Sequence, residues 1–178
     1  NYKIKEHSLV FKKLLDEQDA EEAETGTVIA HAPRSHAYIQ GPLLAEVWID
    51  ALVMDDRREK FGQLLKEYYR FLQTHLAQAE QPGQFLDLLP FNIILTSDGQ
   101  YQWFDQEWAM ASEEISAEFI LFRALLWFGF AHDTHISCAM AEEKLTSIAE
   151  FISFGFQLLA IDIDEQHLLP AFIEQEGR

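Results

Sequence analysis

Residues 84–108 read QFLDLLPFNIILTSDGQYQWFDQEW, and they are the most informative part of the chain. Two apolar runs, NIIL and YQWF, flank an S-D-G turn at residues 97–99, a pattern typical of a β-hairpin. Such a hairpin would bring Asp87, Asn92 and Asp105 together at one end. Two carboxylates and an amide oxygen are hard ligands that suit Mg²⁺, which usually keeps waters and shares its shell with substrate phosphates.

The same residues also have a plain structural interpretation. Asp87 and Asn92 would cap turns around Pro90, and Asp105 would begin a helix, because Asp, Asn and Pro are common in loops. The spacing of Asp87 and Asn92 alone does not separate the two interpretations. The added Asp105, the P-F-N context and the intervening hairpin together favour one functional site.

The segments D-L-L-P-F-N and F-D-Q-E resemble the catalytic loop and the metal-binding segment of the protein-kinase-like fold. Within that fold they are most similar to the aminoglycoside phosphotransferase and choline kinase branch. More narrowly, they resemble kinase-like modules attached to bacterial methyltransferases and glycosyltransferases that act on surface polysaccharides. The resemblance is strong over residues 84–108 and extends more weakly over about residues 36–128.

The resemblance implies a role for each polar residue of this segment. Asp87 would orient the hydroxyl group of an acceptor and take its proton. Asn92 would bind Mg²⁺, Asp105 would bridge the metal and the phosphates of ATP, and Glu107 would be a further metal ligand.

The resemblance also implies a nucleotide-binding hinge near Gln40 and Gly41. Backbone groups there would hydrogen-bond the adenine of ATP, and the distance along the chain from Gly41 to Asp87 matches the one expected between hinge and catalytic loop. The alternative is an ordinary strand end followed by a glycine turn. Lys5 would be the phosphate-binding lysine, against the alternative of a surface lysine, since most lysines are exposed.

Two features of the sequence depart from the pattern of that family. Phe85 stands where many relatives have a histidine that braces the catalytic loop, and an aromatic ring would fill the same space. No G-x-G-x-x-G segment, which would cover the nucleotide phosphates, is found in the 178 residues. Separately from these two departures, the chain is expected to enter a helix almost directly after Asp105, without a long activation segment or an A-P-E-like motif, and this argues against a protein substrate.

The predicted fold class is α+β and mostly helical: a kinase-like C-terminal lobe with a truncated N-terminal lobe. Residues 1–41 would form the partial N-terminal lobe and hinge, and residues 42–178 the helical lobe that contains the catalytic-loop hairpin. The individual predictions are an amphipathic helix within 1–24, strands at 27–30 and 36–39, helical structure over 43–79, and helices at 113–130, 142–160 and 162–176.

Composition limits the classes of function. The net charge of −17 disfavours non-specific binding to nucleic acid or anionic membranes. No apolar run reaches the roughly 18 residues of a membrane span, and no signal peptide is recognised, so a cytoplasmic location is expected. The single Cys138 excludes an internal disulfide and is expected to be a packing residue. The first residue, Asn1, suggests a fragment of a longer protein.

Other conspicuous side chains are expected to be structural. Arg123 is predicted to form an ion pair with Glu118 or a buried acid, and the segment from His132 to His135 to be a polar helix connection rather than a metal pair. The tryptophans, Trp127 among them, are expected in the core.

The sequence thus leads to three hypotheses. The first is an ATP-dependent phosphotransferase that acts on a hydroxyl group of a small molecule or a bacterial surface polysaccharide. The second is a catalytically inactive kinase-like module that supports an attached methyltransferase or glycosyltransferase. The third is a mostly helical binding domain in which the motif is accidental.

Overall fold

The computed structural model describes residues 2–5, 9–12, 29–31, 36–104, 108–110, 115–163 and 168–177. The structure is α+β and mostly helical, as predicted. The elements in chain order are β1 (Tyr2–Lys5), β2 (Leu9–Lys12), β3 (Ile29–His31), β4 (His36–Ala37), α1 (Leu44–Leu52), α2 (Arg57–Ala77), β5 (Ile93–Leu95), β6 (Tyr101–Trp103), β7 (Trp108–Met110), α3 (Ala117–Ala131), α4 (Asp133–Glu142), α5 (Ile148–Leu158) and α6 (Leu168–Glu176).

The first part of the chain corrects one prediction. Strands β1 and β2 pair antiparallel, with Ile4 opposite Val10, and β2 also pairs with β4. A single helix within residues 1–24 is therefore wrong for residues 9–12. The sequence LVFK of β2 contains a β-branched and an aromatic residue, which fit a paired strand better than an isolated helical turn.

Strand β4 falls within the predicted range 36–39, and β3 overlaps the predicted range 27–30 but runs one residue further, to His31. Strand β3 pairs antiparallel with β7, which joins residues about 80 positions apart, with His31 opposite Trp108. Strand β7 was not predicted. The chain therefore forms a strand before it enters α3, rather than passing almost directly into a helix.

The helical predictions are largely confirmed, with shorter elements. The predicted stretch over 43–79 divides into α1 and α2, and Pro82 begins a 3₁₀ turn just beyond. Helix α3 starts at Ala117 because the Ser116 hydroxyl accepts a hydrogen bond from Phe119 N at 3.0 Å. Ser147 caps α5 in the same way, so that helix begins later than predicted. Helix α4, at the expected polar connection, is a separate element.

The core lies where α1, α2 and α3 meet. Trp48 of α1 is fully buried and makes edge-on contacts with Phe61 and Tyr68 of α2 and with Phe128 of α3, at centroid distances of 5.5, 5.3 and 5.3 Å. Such aromatic pairs add directional preference to the burial of apolar area. The cluster holds α2 and α3 against α1, and α2 and α3 both contact the loop that carries Asp87.

Not every large apolar side chain is in this core. Trp127 is 44% exposed and Phe130 is 60% exposed, although both belong to α3. The prediction that Trp127 is a core residue is therefore wrong. Within the described ranges, no helix is both long and apolar enough to cross a membrane.

Candidate active site at the start of the hairpin

The predicted hairpin is present. Strands β5 and β6 pair antiparallel, with Ile93 opposite Trp103 and Leu95 opposite Tyr101. At the far end the turn is closed by Thr96 N, which donates to Gln100 O at 2.9 Å. At the near end Phe104 N donates to Asn92 O at 2.9 Å, so the residue that precedes Asp105 is bonded to the residue that carries the candidate metal-binding amide.

Two of the predicted site residues are in direct contact. Asn92 follows Pro90 in a short 3₁₀ turn, and its Nδ2 donates to both the backbone oxygen and Oδ2 of Asp87, at 3.0 Å each. Because Nδ2 faces Asp87, the amide oxygen Oδ1 lies on the other side of the Asn92 side chain. The structure thus places a carboxylate and an amide oxygen at the start of the hairpin. Asp105 and Glu107 lie outside the described residues.

The loop that carries Asp87 is held by its backbone. Three consecutive carbonyl oxygens each accept a hydrogen bond from a different side chain: Leu86 O from Arg123, Asp87 O from Asn92, and Leu88 O from Tyr68 at 2.8 Å. The donors come from α3, from the turn before β5 and from α2. A loop tied to three elements keeps its side chains in a fixed position, which is what a preorganised site requires.

Burial keeps one of these donors in its neutral form. Tyr68 is fully buried, and desolvation raises the pKa of its hydroxyl well above the ordinary value of 10.0, while the nearby Arg123 lowers it to a lesser extent. The hydroxyl therefore stays protonated over the physiological range and remains a donor to Leu88 O.

An open pocket borders the pair. It has a volume of about 410 Å³ and is lined by Asp87, Leu89, Phe91, Asn92, Arg123, Trp127 and Ala131. Pockets of about 300–1,000 Å³ with a mostly apolar lining and a few polar groups are the usual sites of small molecules. The polar groups of this pocket are a carboxylate, an amide and a guanidinium group.

A second cavity of about 350 Å³ lies at the predicted hinge. It is lined by Gln40, Gly41, Pro42, Leu95, Thr96 and Ser97. The hinge segment is tied to the hairpin because Leu95 N donates to Pro42 O at 3.0 Å and Leu43 forms a bridge with Ile94. The predicted nucleotide-binding residues Gln40 and Gly41 therefore lie against β5. Lys5 belongs to β1, and the position of its side chain is outside the described residues.

Gly41 is required by a close approach between backbones. A Cβ atom at this position would lie 2.2 Å from Leu95 O, and its φ of +154° is one that residues with side chains rarely adopt.

We expect Gly41→Ala to lower the free energy of unfolding in urea by about 1–3 kcal/mol more than Gly99→Ala, because overpacking adds to the backbone strain. Gly99 is a matched control, since its φ is +78° and nothing lies within 4 Å of the added atom. Equal losses would show that the hinge does not press against β5.

Phe85 occupies the place where the resemblance leads one to expect a histidine. Its ring is 8% exposed and packs against His75 of α2 and Trp103 of β6, at centroid distances of 5.8 and 5.3 Å. The Phe85 ring is thus in contact with both α2 and β6, directly before Leu86 in the chain.

Sequence reasoning missed the two side chains that hold the loop from outside. Arg123 was predicted to pair with Glu118 or a buried acid; its Nε donates to Glu176 Oε2 at 2.6 Å, a largely buried carboxylate that the sequence did not single out, whereas Glu118 accepts from Tyr69. Tyr68 belongs to the apolar stripe of α2, which gave no sign of its hydrogen bond. The available signal was a lone arginine on a mostly apolar helix, which indicates that the arginine has a partner but not which residue that partner is.

The donor set can be compared with what Mg²⁺ requires. No group of three or more His, Cys, Asp or Glu side chains that would hold a metal is found within the described ranges. Mg²⁺ in nucleotide sites, however, commonly takes only one or two carboxylates besides waters and phosphates. Asn92, with Asp105 next to Phe104 in the chain, has the oxygen chemistry that suits this ion.

Comparisons of the chain with models of known protein families, with curated proteins and with solved structures found no match. The interpretation of the candidate site therefore rests on the geometry of its own residues.

Proposed function

We propose that the chain is a kinase-like phosphotransferase that moves the γ-phosphate of ATP to a hydroxyl group of a small molecule or a bacterial surface polysaccharide. The observation that carries the proposal is the contact of Asn92 Nδ2 with Asp87, on a loop tied at three consecutive carbonyls and beside an open pocket. If Asp87 and Asn92 only capped a turn, neither an adjoining pocket nor hydrogen bonds to the loop from α2 and α3 would be needed.

In this proposal the residues of the chain position the two substrates and neutralise phosphate charge, and they form no covalent bond with either substrate. Asp87 orients the acceptor hydroxyl and takes its proton as the new O–P bond forms and the bond from phosphorus to the leaving ADP oxygen breaks. Asn92 and Asp105 would hold Mg²⁺, which neutralises charge on the phosphates when it is bound. Gln40 and Gly41, beside the second cavity, would receive the adenine.

The size and lining of the first pocket favour a small acceptor or the end of a glycan chain. Leu89, Phe91 and Trp127 supply apolar contact, and Arg123 supplies a cation close to Asp87 in a chain of net charge −17. Together with Asp87 and Asn92, these side chains would bind one acceptor group rather than an extended peptide.

The proposal is tested by nucleotide binding. At about 1 mM Mg-ATP, a binder of micromolar affinity gains about 3–4 kcal/mol, which corresponds to a rise in Tm of roughly 5–15 °C for a chain of this size. We expect this rise for the native chain and a much smaller one for Asn92→Ala. Gln102→Ala is the matched control, since it removes an exposed amide from the same hairpin. No rise for the native chain would reject the proposal.

A further inference from the structure

The last helix reaches the catalytic loop through one carboxylate. Glu176 of α6 accepts two hydrogen bonds from α3: Oε2 from Arg123 Nε at 2.6 Å, and Oε1 from Trp127 Nε1 at 2.7 Å. Arg123 in turn donates through Nη1 to Leu86 O, the carbonyl that precedes Asp87. A continuous chain of hydrogen bonds therefore runs from α6 to the loop.

This ion pair is shielded from water. The side chains of Arg123 and Glu176 are 13% and 16% exposed, so the contact is stronger and less screened than an ordinary surface pair. Helix α6 is itself anchored, because Phe172 packs against Phe119 and Phe122 at centroid distances of 5.7 and 5.5 Å. The carboxylate is thus presented from a fixed element.

We infer that Glu176 is a positioning residue, which fixes the loop that carries Asp87 by holding the guanidinium group of Arg123. The inference rests on the proposed function for its catalytic consequence, but not for its structural one. A guanidinium group bonded on one edge to a carboxylate has a fixed plane, so its other nitrogen is held towards Leu86 O. Without the carboxylate, Arg123 loses the contact that holds its Nε, and we expect the hydrogen bond from Nη1 to Leu86 O to weaken with it.

The test compares Glu176→Gln with Glu142→Gln. Arg57 makes the same kind of two-way contact as Arg123, since its Nε donates to Leu52 O at 3.2 Å and its Nη1 pairs with Glu142. The control therefore removes a carboxylate from an arginine that bridges to a backbone carbonyl, away from Asp87. Three quantities are measured for the full chain: the amide hydrogen exchange of residues 84–92, and the kcat and the KM for ATP in phosphate transfer.

We expect exchange of residues 84–92 to become about tenfold faster in Glu176→Gln and to be unchanged in Glu142→Gln, because a lost charge-assisted bond lowers the cost of local opening. We also expect kcat to fall about tenfold, with the KM for ATP within about twofold of the native value, since the hinge cavity is untouched.

Unchanged exchange in a folded Glu176→Gln, or equally fast exchange in the control, would overturn the inference. If Glu176→Gln does not fold, Glu176→Asp, which keeps the charge and shortens the side chain, is judged by the same criterion. A native chain that binds no Mg-ATP and transfers no phosphate would reject the proposed function, while the exchange measurement would still decide the role of Glu176.

Discussion

Asp87→Asn is expected to lower kcat for phosphate transfer by about 10²–10⁴-fold, the range that general acid–base groups contribute. The replacement keeps the shape of the side chain and an oxygen that accepts from Asn92 Nδ2, so the loop keeps its backbone ties. What it removes is the group that, in the proposed mechanism, would take the proton of the acceptor hydroxyl. The KM for ATP is expected to change little, because the predicted adenine contacts lie at the hinge. Steady-state kinetics with a hydroxyl acceptor measure both quantities.

Asp50→Asn is the matched control for this prediction. Asp50 is exposed on α1, and its replacement changes the net charge by the same amount. We expect native activity from it. If Asp87→Asn keeps the full activity of a native chain that transfers phosphate, Asp87 is not the proton acceptor. If the native chain transfers no phosphate and the activity of an attached transferase survives Asp87→Ala, the hypothesis of an inactive supporting module is favoured instead.

Phe128→Ala is expected to lower the free energy of unfolding by about 3–5 kcal/mol, as is usual for a buried phenylalanine. The ring is fully buried and contacts Trp48, Phe151 and His132 at centroid distances of 5.3, 6.2 and 4.9 Å. Its removal leaves a cavity among rigid aromatic rings that cannot close around it. Urea unfolding followed by circular dichroism measures the loss.

Phe130→Ala provides a control of the same residue type in the same helix. This ring is 60% exposed, so its removal is expected to change the free energy of unfolding by no more than about 0.5 kcal/mol. Similar losses of unfolding free energy for the two variants would mean that Phe128 does not face the core while Phe130 faces solvent. The pair therefore tests the orientation of the helix that also carries Arg123.

The local part of the site was predictable from the sequence. The hairpin follows from two apolar runs around an S-D-G turn, and a hairpin at this place was expected to bring Asp87 and Asn92 to the same end, where they are in contact. Such signals come from residues that are close in sequence, so they can be recognised without knowing how the rest of the chain folds.

The distant contacts of the site were not predictable. Arg123 lies five residues after Glu118 on the same helix, yet its partner is Glu176, which lies 53 residues further on. Strand β7 was also missed, because its partner β3 is about 80 residues away. Periodicity records which face of an element is apolar, but it does not record which other element covers that face.

The α+β class, the hairpin over residues 93–103 and the closeness of Asp87 and Asn92 could therefore be read from the sequence, because they depend on local propensity and turn chemistry. Only the tertiary structure decided how the loop is held. Tyr68 and Arg123 reach Leu88 O and Leu86 O from helices that are brought together by the burial of Trp48, Phe128 and their neighbours. The pocket beside Asp87 arises in the same way, from side chains that meet only when these helices pack.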